Sequence, residues 1–237
     1  MKQSTDCIAK RAFNMGLPDP KTREYDQPLP SLLSQNLSIL KTFQASCHSL
    51  CQRIFTHLAV SLFLPPDWFT SRHDLSRGPT GTVFRLLYYP SRDASTHDEV
   101  DIRAGAHSDY GSITCLFQLS GQPGLEILTP QGKWAAVPVD PEGDGEGRLP
   151  ILVNIGDLLE DWTGGLLKST KHRVVFPKDE AGDRYSIAYF CHPLDEALLE
   201  PVPSDMVREH AKKSGRQTKV ITAKDHLMER LAATYSV

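Results

Sequence analysis

The segment from Arg103 to Thr114 reads RAGAHSDYGSIT and places a histidine and an aspartate two residues apart, at His107 and Asp109. Side chains alternate between the two faces of an extended strand, so residues two apart point the same way. His107 and Asp109 can therefore share one metal ion. A second histidine, His172, lies in KSTKHRVV between Lys168 and Val175, and it must reach the pair through the fold.

Two histidines and one carboxylate hold a metal from one side and leave the other side open, which is the ligand set of non-haem Fe(II) oxygenases. Coincidence is the alternative, because the chain has nine histidines. Arg184 and Ser186 follow downstream of the second histidine. A guanidinium can bind a carboxylate through two N–H groups, and a hydroxyl two residues further on shares its face. A surface ion pair with Asp183 or Glu180 is the alternative for Arg184.

Composition excludes several classes of protein. The 237 residues suffice for one domain with its own core, or for two small ones. The net charge of −3 and the lack of a basic run interleaved with aromatic residues argue against a nucleic-acid partner. No apolar stretch reaches the ~18 residues that span a bilayer, and the segment 1–10 lacks the apolar part of a signal peptide.

The number and positions of the cysteines indicate the redox state of the compartment in which the protein works. Their number is odd and their positions are scattered, which argues against a disulfide framework. We therefore expect a reduced, cytoplasmic protein. The five residues are Cys7, Cys47, Cys51, Cys115 and Cys191.

The first third of the chain divides into an extended part and a helical part. Residues 1–30 are polar and rich in proline, and we expect them to be extended or loop. From Ser31 to Leu64, apolar residues recur at steps of three or four and predict one helix. Ser31 is the predicted N-cap and Pro65-Pro66 the stop. Asp67 to His73 predicts a short second helix.

After Gly78 the sequence becomes a series of short β-branched and aromatic runs between glycine and proline turns, which is typical of a sandwich or barrel. The predicted strands are Val83–Tyr89, Ile113–Phe117, Leu125–Leu128, Trp134–Val137, Ile151–Ile155, Arg173–Phe176 and Tyr185–Phe190. The glycine- and acid-rich segment 141–148 predicts an exposed loop. We expect four parts: an extended segment 1–30, a helical segment 31–78 packed on the core, a β domain 79–200 and a helical tail 201–237.

The order and flanks of these motifs resemble the isopenicillin N synthase-like family of 2-oxoglutarate/Fe(II)-dependent dioxygenases. The resemblance runs from about Ser31 to Pro193 and is carried by Arg103–Thr114, Gly124–Ile127, Gly132–Trp134, Val153–Asp157, Lys168–Val175 and Arg184–Phe190. It implies a mainly β fold with flanking helices, whose core is a double-stranded β-helix, a distorted jelly roll. It also implies an enzyme that uses Fe(II), 2-oxoglutarate and O2 to hydroxylate, desaturate or cyclise a small organic molecule, in secondary metabolite biosynthesis.

The resemblance implies a role for particular residues. The metal ligands, and with them the catalytic centre, would be His107, Asp109 and His172. The 2-oxoglutarate would be bound by Arg184 and Ser186, with a contact from Tyr89, which precedes Pro90 as in the family. Core packing is the alternative for Tyr89. Leu87 departs from the family pattern, because plant members usually carry asparagine there and one polar contact is lost.

Alternation along the strands nominates substrate-binding residues. If Arg184 and Ser186 face inward on the last strand, Phe190 and His192 face inward as well. If Tyr89 faces inward on its strand, so does Arg85. Family members use such positions to touch the organic substrate. An inward Arg85 favours an acidic or oxygen-rich substrate, whereas an outward salt bridge is the alternative.

The N-terminal region differs from that of the family. The chain reaches its long helix by about residue 31, without the strand-and-helix block that family members carry before it. An uncovered sheet edge or apolar face would favour a homo- or hetero-oligomer. Two further interpretations therefore stay open: a non-catalytic, oxygenase-like partner subunit, and an Fe(II) oxidase that does not use 2-oxoglutarate.

Overall fold

The fold was obtained as a computed structural model, which describes residues 11–19, 21–22, 24–91, 102–141, 143, 149–176, 182–216 and 219–235. Its strands are β1 (Arg11–Met15), β2 (Val83–Tyr89), β3 (Ile102–His107), β4 (Ile113–Gln118), β5 (Leu125–Leu128), β6 (Trp134–Ala136), β7 (Leu152–Ile155), β8 (His172–Val175) and β9 (Arg184–Cys191). Its α-helices are α1 (Ser31–Gln35), α2 (Leu37–Ser61), α3 (Asp157–Trp162), α4 (Asp205–Ser214) and α5 (Ala223–Tyr235). A short 3-10 helix spans Thr70–His73.

Two antiparallel sheets form the centre of the fold. The larger has the order β1-β2-β9-β4-β7 and the smaller β3-β8-β5-β6. Side chains from both sheets line a single cavity, so the sheets face each other across it. This arrangement confirms the predicted mainly β fold with flanking helices, and the seven strands predicted from β-branched and aromatic runs are present with ends that differ by one residue at most.

Helix α2 covers the outer face of the larger sheet. Its buried residues, which recur at steps of three and four, are Gln44, Cys47, Cys51, Phe55 and Ala59. The Sγ atoms of Cys51 and of Cys115 on β4 lie 3.8 Å apart, so the helix and the sheet are in direct contact. The cysteines that the structure describes are buried and form no disulfide with one another, and Cys7 lies outside the described residues.

The ends of the long helix differ from the prediction. The helix is interrupted at Asn36, and Pro30 rather than Ser31 is the N-cap residue. Its last residue is Ser61, before the two prolines. Phe63 adopts a left-handed backbone conformation with φ 58°, and the N–H of Leu64 donates to the Ala59 carbonyl. This hydrogen bond closes the helix in the manner usually provided by glycine, so the prolines are not its stop.

The structure also describes parts of the predicted N-terminal segment, second helix and C-terminal tail. Strand β1 lies within the segment expected to be extended or loop, and it pairs antiparallel with β2. The predicted second helix is reduced to the 3-10 turn at Thr70–His73. The helical tail is present as α4 and α5. Most of the predicted loop at 141–148 lies outside the described residues. In the part of the chain that is described, no helix is both long and apolar enough to cross a membrane.

His73 is a buried polar residue that links the helical layer to the sheet. Its Nδ1 contacts the Phe69 carbonyl oxygen at 2.8 Å and its Nε2 contacts Ser112 Oγ at 2.9 Å. Because a carbonyl only accepts, Nδ1 carries the proton and Nε2 accepts from the hydroxyl. The ring is stacked on Phe55, with 4.0 Å between ring centroids. Burial in this apolar layer lowers the pKa of His73 from 6.5 to about 3.

The buried His73 predicts a loss of stability in acid. Between pH 6.5 and the folded-state pKa the unfolded chain binds a proton at this residue and the folded chain does not. The free energy of unfolding therefore falls as the pH falls, by up to about 1.4 kcal/mol per pH unit from this residue alone. We expect urea unfolding of the metal-free chain at pH 7, 6 and 5 to show a shallower decline for His73→Asn than for the exposed-site control His57→Asn. Parallel pH profiles for the two variants would contradict this account.

Candidate metal and co-substrate site

A cavity of about 70 Å³ lies between the two sheets. The larger sheet contributes one face of each of four strands, and the smaller sheet contributes β3, β5 and β8. The lining residues are Arg85, Leu87, Tyr89, His107, Asp109, Thr114, Leu116, Leu125, Ile127, Leu152, Asn154, Thr170, His172, Val174, Arg184, Ser186, Ala188 and Phe190. Half of these side chains are apolar or aromatic, and most of the polar ones belong to the two groups described below.

The first polar group is the predicted metal-binding trio. His107 at the end of β3 is the register partner of His172 at the start of β8, and the two ring centroids are 4.4 Å apart. Asp109 Oδ1 lies 3.7 Å from His172 Nε2. One potential ligand atom from each of the three residues lies within 4.8 Å of the others. Such a group of three is found nowhere else in the described part of the chain.

We expected strand alternation to place Asp109 beside His107, but the structure positions Asp109 in a different way. Strand β3 ends at His107, and Asp109 lies in the following loop. Its carboxylate is instead held by two neighbouring strands of the other sheet. Its Oδ2 accepts hydrogen bonds from Thr114 Oγ1 at 2.7 Å and from Asn154 Nδ2 at 2.8 Å. Thr114 and Asn154 are register partners on β4 and β7, which explains why both reach the same oxygen.

Hydrogen bonds also fix both histidine rings. Nδ1 of His107 contacts the Gly105 carbonyl oxygen at 2.7 Å, and Nδ1 of His172 contacts that of Thr170 at 3.1 Å. Since a carbonyl only accepts, each Nδ1 carries the proton and each Nε2 carries the lone pair. With Asp109 Oδ1, the set comprises two imidazole nitrogens and one carboxylate oxygen. This donor set fits Fe(II).

The loop that carries Asp109 packs tightly against the start of α3. The Asp157 N–H donates to the Asp109 carbonyl at 2.7 Å. A Cβ atom at Gly156 would lie 2.2 Å from the Gly111 carbonyl oxygen, so only glycine allows this approach. The Asp157 side chain also accepts a hydrogen bond from Ser108 Oγ at 3.0 Å.

The second polar group surrounds Arg184, which is 1% exposed. Its guanidinium donates to Ser186 Oγ at 3.2 Å and to Gln118 Oε1 at 3.0 Å. Its carbon Cζ lies 5.4 Å from the centroid of the Tyr89 ring. Gln118 was not singled out from the sequence, because it follows directly after the predicted strand; in the structure it is the last residue of β4 and the register partner of Ser186, which brings it to this group.

The charge of Arg184 is not offset by a neighbouring carboxylate. No acidic group of the described residues lies within ion-pair distance of it, and its Nε has no hydrogen-bond partner. Asp183 instead accepts from the Ser91 N–H at 2.6 Å, and Glu180 lies outside the described residues. Burial lowers the pKa of the guanidinium, but arginine stays charged in proteins. A buried cation beside a cavity fits the carboxylate of a ligand.

The substrate-binding predictions meet different outcomes. Arg85 and Phe190 line the cavity, with the guanidinium carbon 4.9 Å from the ring centroid. His192 does not line it, because β9 ends at Cys191 and the alternation ends with it. The His192 ring packs against the Gly111 backbone instead, and burial there lowers its pKa to about 4.

Comparison with known proteins identifies the family. The model of the 2OG-Fe(II) oxygenase superfamily matches residues 80–193. Proline hydroxylase buaE of Petromyces alliaceus is 31% identical over 237 residues, which cover 95% of this chain and 68% of that protein. The chain belongs to the 2OG-Fe(II) oxygenase superfamily. The 2-oxoglutarate-dependent dioxygenase frbA of Dothideomycetidae sp. is 34% identical over 185 residues, or 75% of this chain and 51% of that protein.

Solved structures agree with this membership. The crystal structure of a full-length Neurospora crassa protein in complex with alpha-KG (2-oxoglutarate) superposes with a TM-score of 0.79 at 31% identity, covering 99% of this chain and 68% of that one. The first three curated relatives are longer than this superfamily member, which spans 64%, 51% and 54% of their lengths. Fe(II) and 2-oxoglutarate are the cofactor and co-substrate of the superfamily, and both fit the two polar groups of the cavity.

The contact between Arg184 and Gln118 predicts a charge requirement for binding 2-oxoglutarate. A neutral amide orients the guanidinium without cancelling its charge, whereas Gln118→Glu would place a carboxylate at the same distance. We expect this variant to bind 2-oxoglutarate at least about ten-fold more weakly, or about 1.4 kcal/mol. Anaerobic titration in the presence of Fe(II), followed by the visible charge-transfer band, measures the affinity.

Gln122→Glu is a matched control, because its Oε1 accepts from the Tyr185 N–H and does not contact Arg184. This variant adds the same charge to the same region. Equal affinities for 2-oxoglutarate in the two variants would contradict a role for the neutral amide at position 118.

Proposed function

We propose that this chain is an Fe(II)- and 2-oxoglutarate-dependent dioxygenase that oxidises a small organic molecule. The observation that carries the proposal is the presence of two complementary polar groups in one cavity. A trio of metal-ligand type and a buried, uncompensated guanidinium line the same space between the sheets. A metal-binding trio alone would fit many roles, whereas the buried cation adds a place for an acidic co-substrate.

The proposed ligands are His107 Nε2, Asp109 Oδ1 and His172 Nε2. Arg184 would bind the distal carboxylate of 2-oxoglutarate, with Ser186 adding a hydroxyl donor and Tyr89 lying beside the guanidinium. Leu87 is the register partner of Ser186 and faces the same cavity. Because Leu87 offers no polar contact, Arg184 and Ser186 would hold that carboxylate without help from position 87.

When bound, Fe(II) with 2-oxoglutarate and O2 supplies an oxidant for C–H bonds, while the co-substrate leaves as succinate and CO2. The chain's own residues fix the donor atoms and line much of the remaining cavity with apolar groups. The hydrogen bonds from Thr114 and Asn154 leave Oδ1 of Asp109 directed at the histidines. The apolar side chains come from both sheets and would offer few hydrogen bonds to water, among them Leu116, Leu125, Ile127, Leu152 and Val174.

The substrate would lie on the side of the cavity lined by Arg85 and Phe190. A guanidinium over an aromatic ring suits an oxygen-rich or acidic molecule that can also pack against the ring. The relatives support a small substrate: one is a proline hydroxylase, and the Neurospora crassa protein has been crystallised with alpha-KG and thymine. Fungal dioxygenases among the relatives support a place in secondary metabolism. The cytoplasmic location, the four-part division and an oligomeric state stay predictions.

The activity test compares ligand variants with a histidine outside the site. We expect the chain to convert 2-oxoglutarate to succinate in an Fe(II)-dependent manner, and His107→Ala and Asp109→Ala to abolish this because two donor atoms cannot hold the metal. The exposed His57→Ala serves as the control and should retain full turnover. Succinate formed by either ligand variant would refute the assignment.

Anaerobic titration separates the alternatives. Fe(II) binding with a charge-transfer band on adding 2-oxoglutarate supports the proposal. Fe(II) binding without a response to 2-oxoglutarate would indicate the oxidase that does not use this co-substrate, and a response without turnover would indicate a non-catalytic partner subunit.

The proposed role of Arg85 concerns substrate choice. Its Nε donates to Asn14 Oδ1 at 2.6 Å, which holds the guanidinium on the cavity side of β2. We expect Arg85→Ala to lose turnover of acidic and oxygen-rich substrates at least about ten-fold more than turnover of neutral ones, while uncoupled succinate formation persists. Unchanged selectivity across a panel of both kinds would rule this role out.

A further inference from the structure

The loop that carries two of the proposed metal ligands is tied to the last helix of the fold. Ser108, between His107 and Asp109, donates from its Oγ to Asp157 Oδ2 at 3.0 Å. The same oxygen forms an ion pair with Arg230 of α5. A chain of two contacts therefore joins the C-terminal helix to the residue between the ligands.

A second contact from α5 reaches the same loop. The Tyr110 hydroxyl and Thr234 Oγ1 are in hydrogen-bond contact at 2.5 Å. The Arg230 guanidinium carbon lies 5.7 Å from the Tyr110 ring centroid. Arg230 and Thr234 are one turn apart on α5. Arg230 reaches Ser108 through Asp157, and Thr234 contacts Tyr110 directly, so the two contacts lie on either side of Asp109.

The backbone of this loop is held by contacts from outside the two sheets. It lies between the end of β3 and the start of β4, so no sheet hydrogen bonds fix Ser108 or Asp109. The separation of the His107 and Asp109 donor atoms therefore depends on what α3 and α5 provide to the backbone of this loop, in addition to the hydrogen bonds that Thr114 and Asn154 donate to the Asp109 carboxylate. Outer contacts of this kind orient metal ligands, and their loss typically lowers metal affinity by about 10- to 100-fold.

We propose that Arg230 is a positioning residue of the metal site: through Asp157 and Ser108 it holds His107 and Asp109 at the separation that one metal ion requires. The inference rests on the proposed function and adds α5 to the structure that the site needs. Asp157 is largely buried, whereas Arg230 is partly exposed, so solvent screens this ion pair from one side only.

The opposing explanation is that Arg230 only attaches α5 to the domain. Arg216, just after α4, is a matched control that tests this explanation. Arg216 forms ion pairs with both Glu160 and Asp161 on α3, the helix that also carries Asp157. It therefore attaches the C-terminal region to the same helix through more contacts, but none of these reaches the metal-binding loop.

The test measures metal affinity without turnover. Co(II) is titrated calorimetrically into the full chain and into Arg230→Gln, Arg230→Lys and Arg216→Gln, with urea unfolding of each variant. We expect Arg230→Gln to bind Co(II) about ten-fold more weakly and Arg230→Lys to recover part of the affinity. Arg216→Gln should lose stability but bind Co(II) within about two-fold of the unaltered chain.

Ser108→Ala gives an independent measurement if Arg230→Gln does not fold. It removes the hydroxyl that links Asp157 to the loop and leaves the ion pair of α5 intact, and we expect the same loss of affinity. Unchanged Co(II) affinity in Arg230→Gln or Ser108→Ala, or an equal loss in Arg216→Gln, would overturn the positioning role alone. A chain that binds no Co(II) before substitution would overturn the proposed metal site as well.

Discussion

The pairing of β3 with β8 is the constraint on which the site depends. This antiparallel pairing sets His107 opposite His172 and brings together two residues that are far apart in sequence. A change of register by one residue would turn one imidazole away from the cavity. The pairing is irregular, with register shifts on either side of Ala104, and its end nevertheless places both rings within reach of Asp109. The other residues that line the cavity surround this trio.

Strand pairing in the larger sheet brings the second polar group together. Tyr89 pairs with Arg184, and Ser186 is flanked by Leu87 and Gln118 on the neighbouring strands. These five residues form one patch on one face of three strands. The buried guanidinium at its centre would be costly if the cavity held only apolar groups. Its hydrogen bonds to Ser186 and Gln118 lessen this cost without cancelling the charge, which leaves the patch suited to an anionic ligand.

Residue pattern and order were enough to predict much of this arrangement. Strands such as Val83–Tyr89 and Leu125–Leu128 follow directly from β-branched and aromatic runs between turns, because local composition and burial agree there. The orientation of Asp109 could not be predicted in this way, since it depends on Thr114 and Asn154, which meet only when β4 and β7 pair. His192 does not line the cavity for a related reason: alternation of side chains holds only within a strand, and β9 ends one residue earlier.

The buried cysteines lie in the core cluster and do not line the cavity. Cys47 and Cys51 on α2 pack with Cys115 behind the larger sheet, on the side opposite the cavity. Burial raises the pKa of Cys47 to about 12, and the neighbouring thiol of Cys51 together with burial raises the pKa of Cys115. The thiolate is the form that reacts with oxidants. Soft, well-packing sulfur atoms can thus lie behind a site that is proposed to use O2, because the sheet separates them from the cavity and their protons stay on.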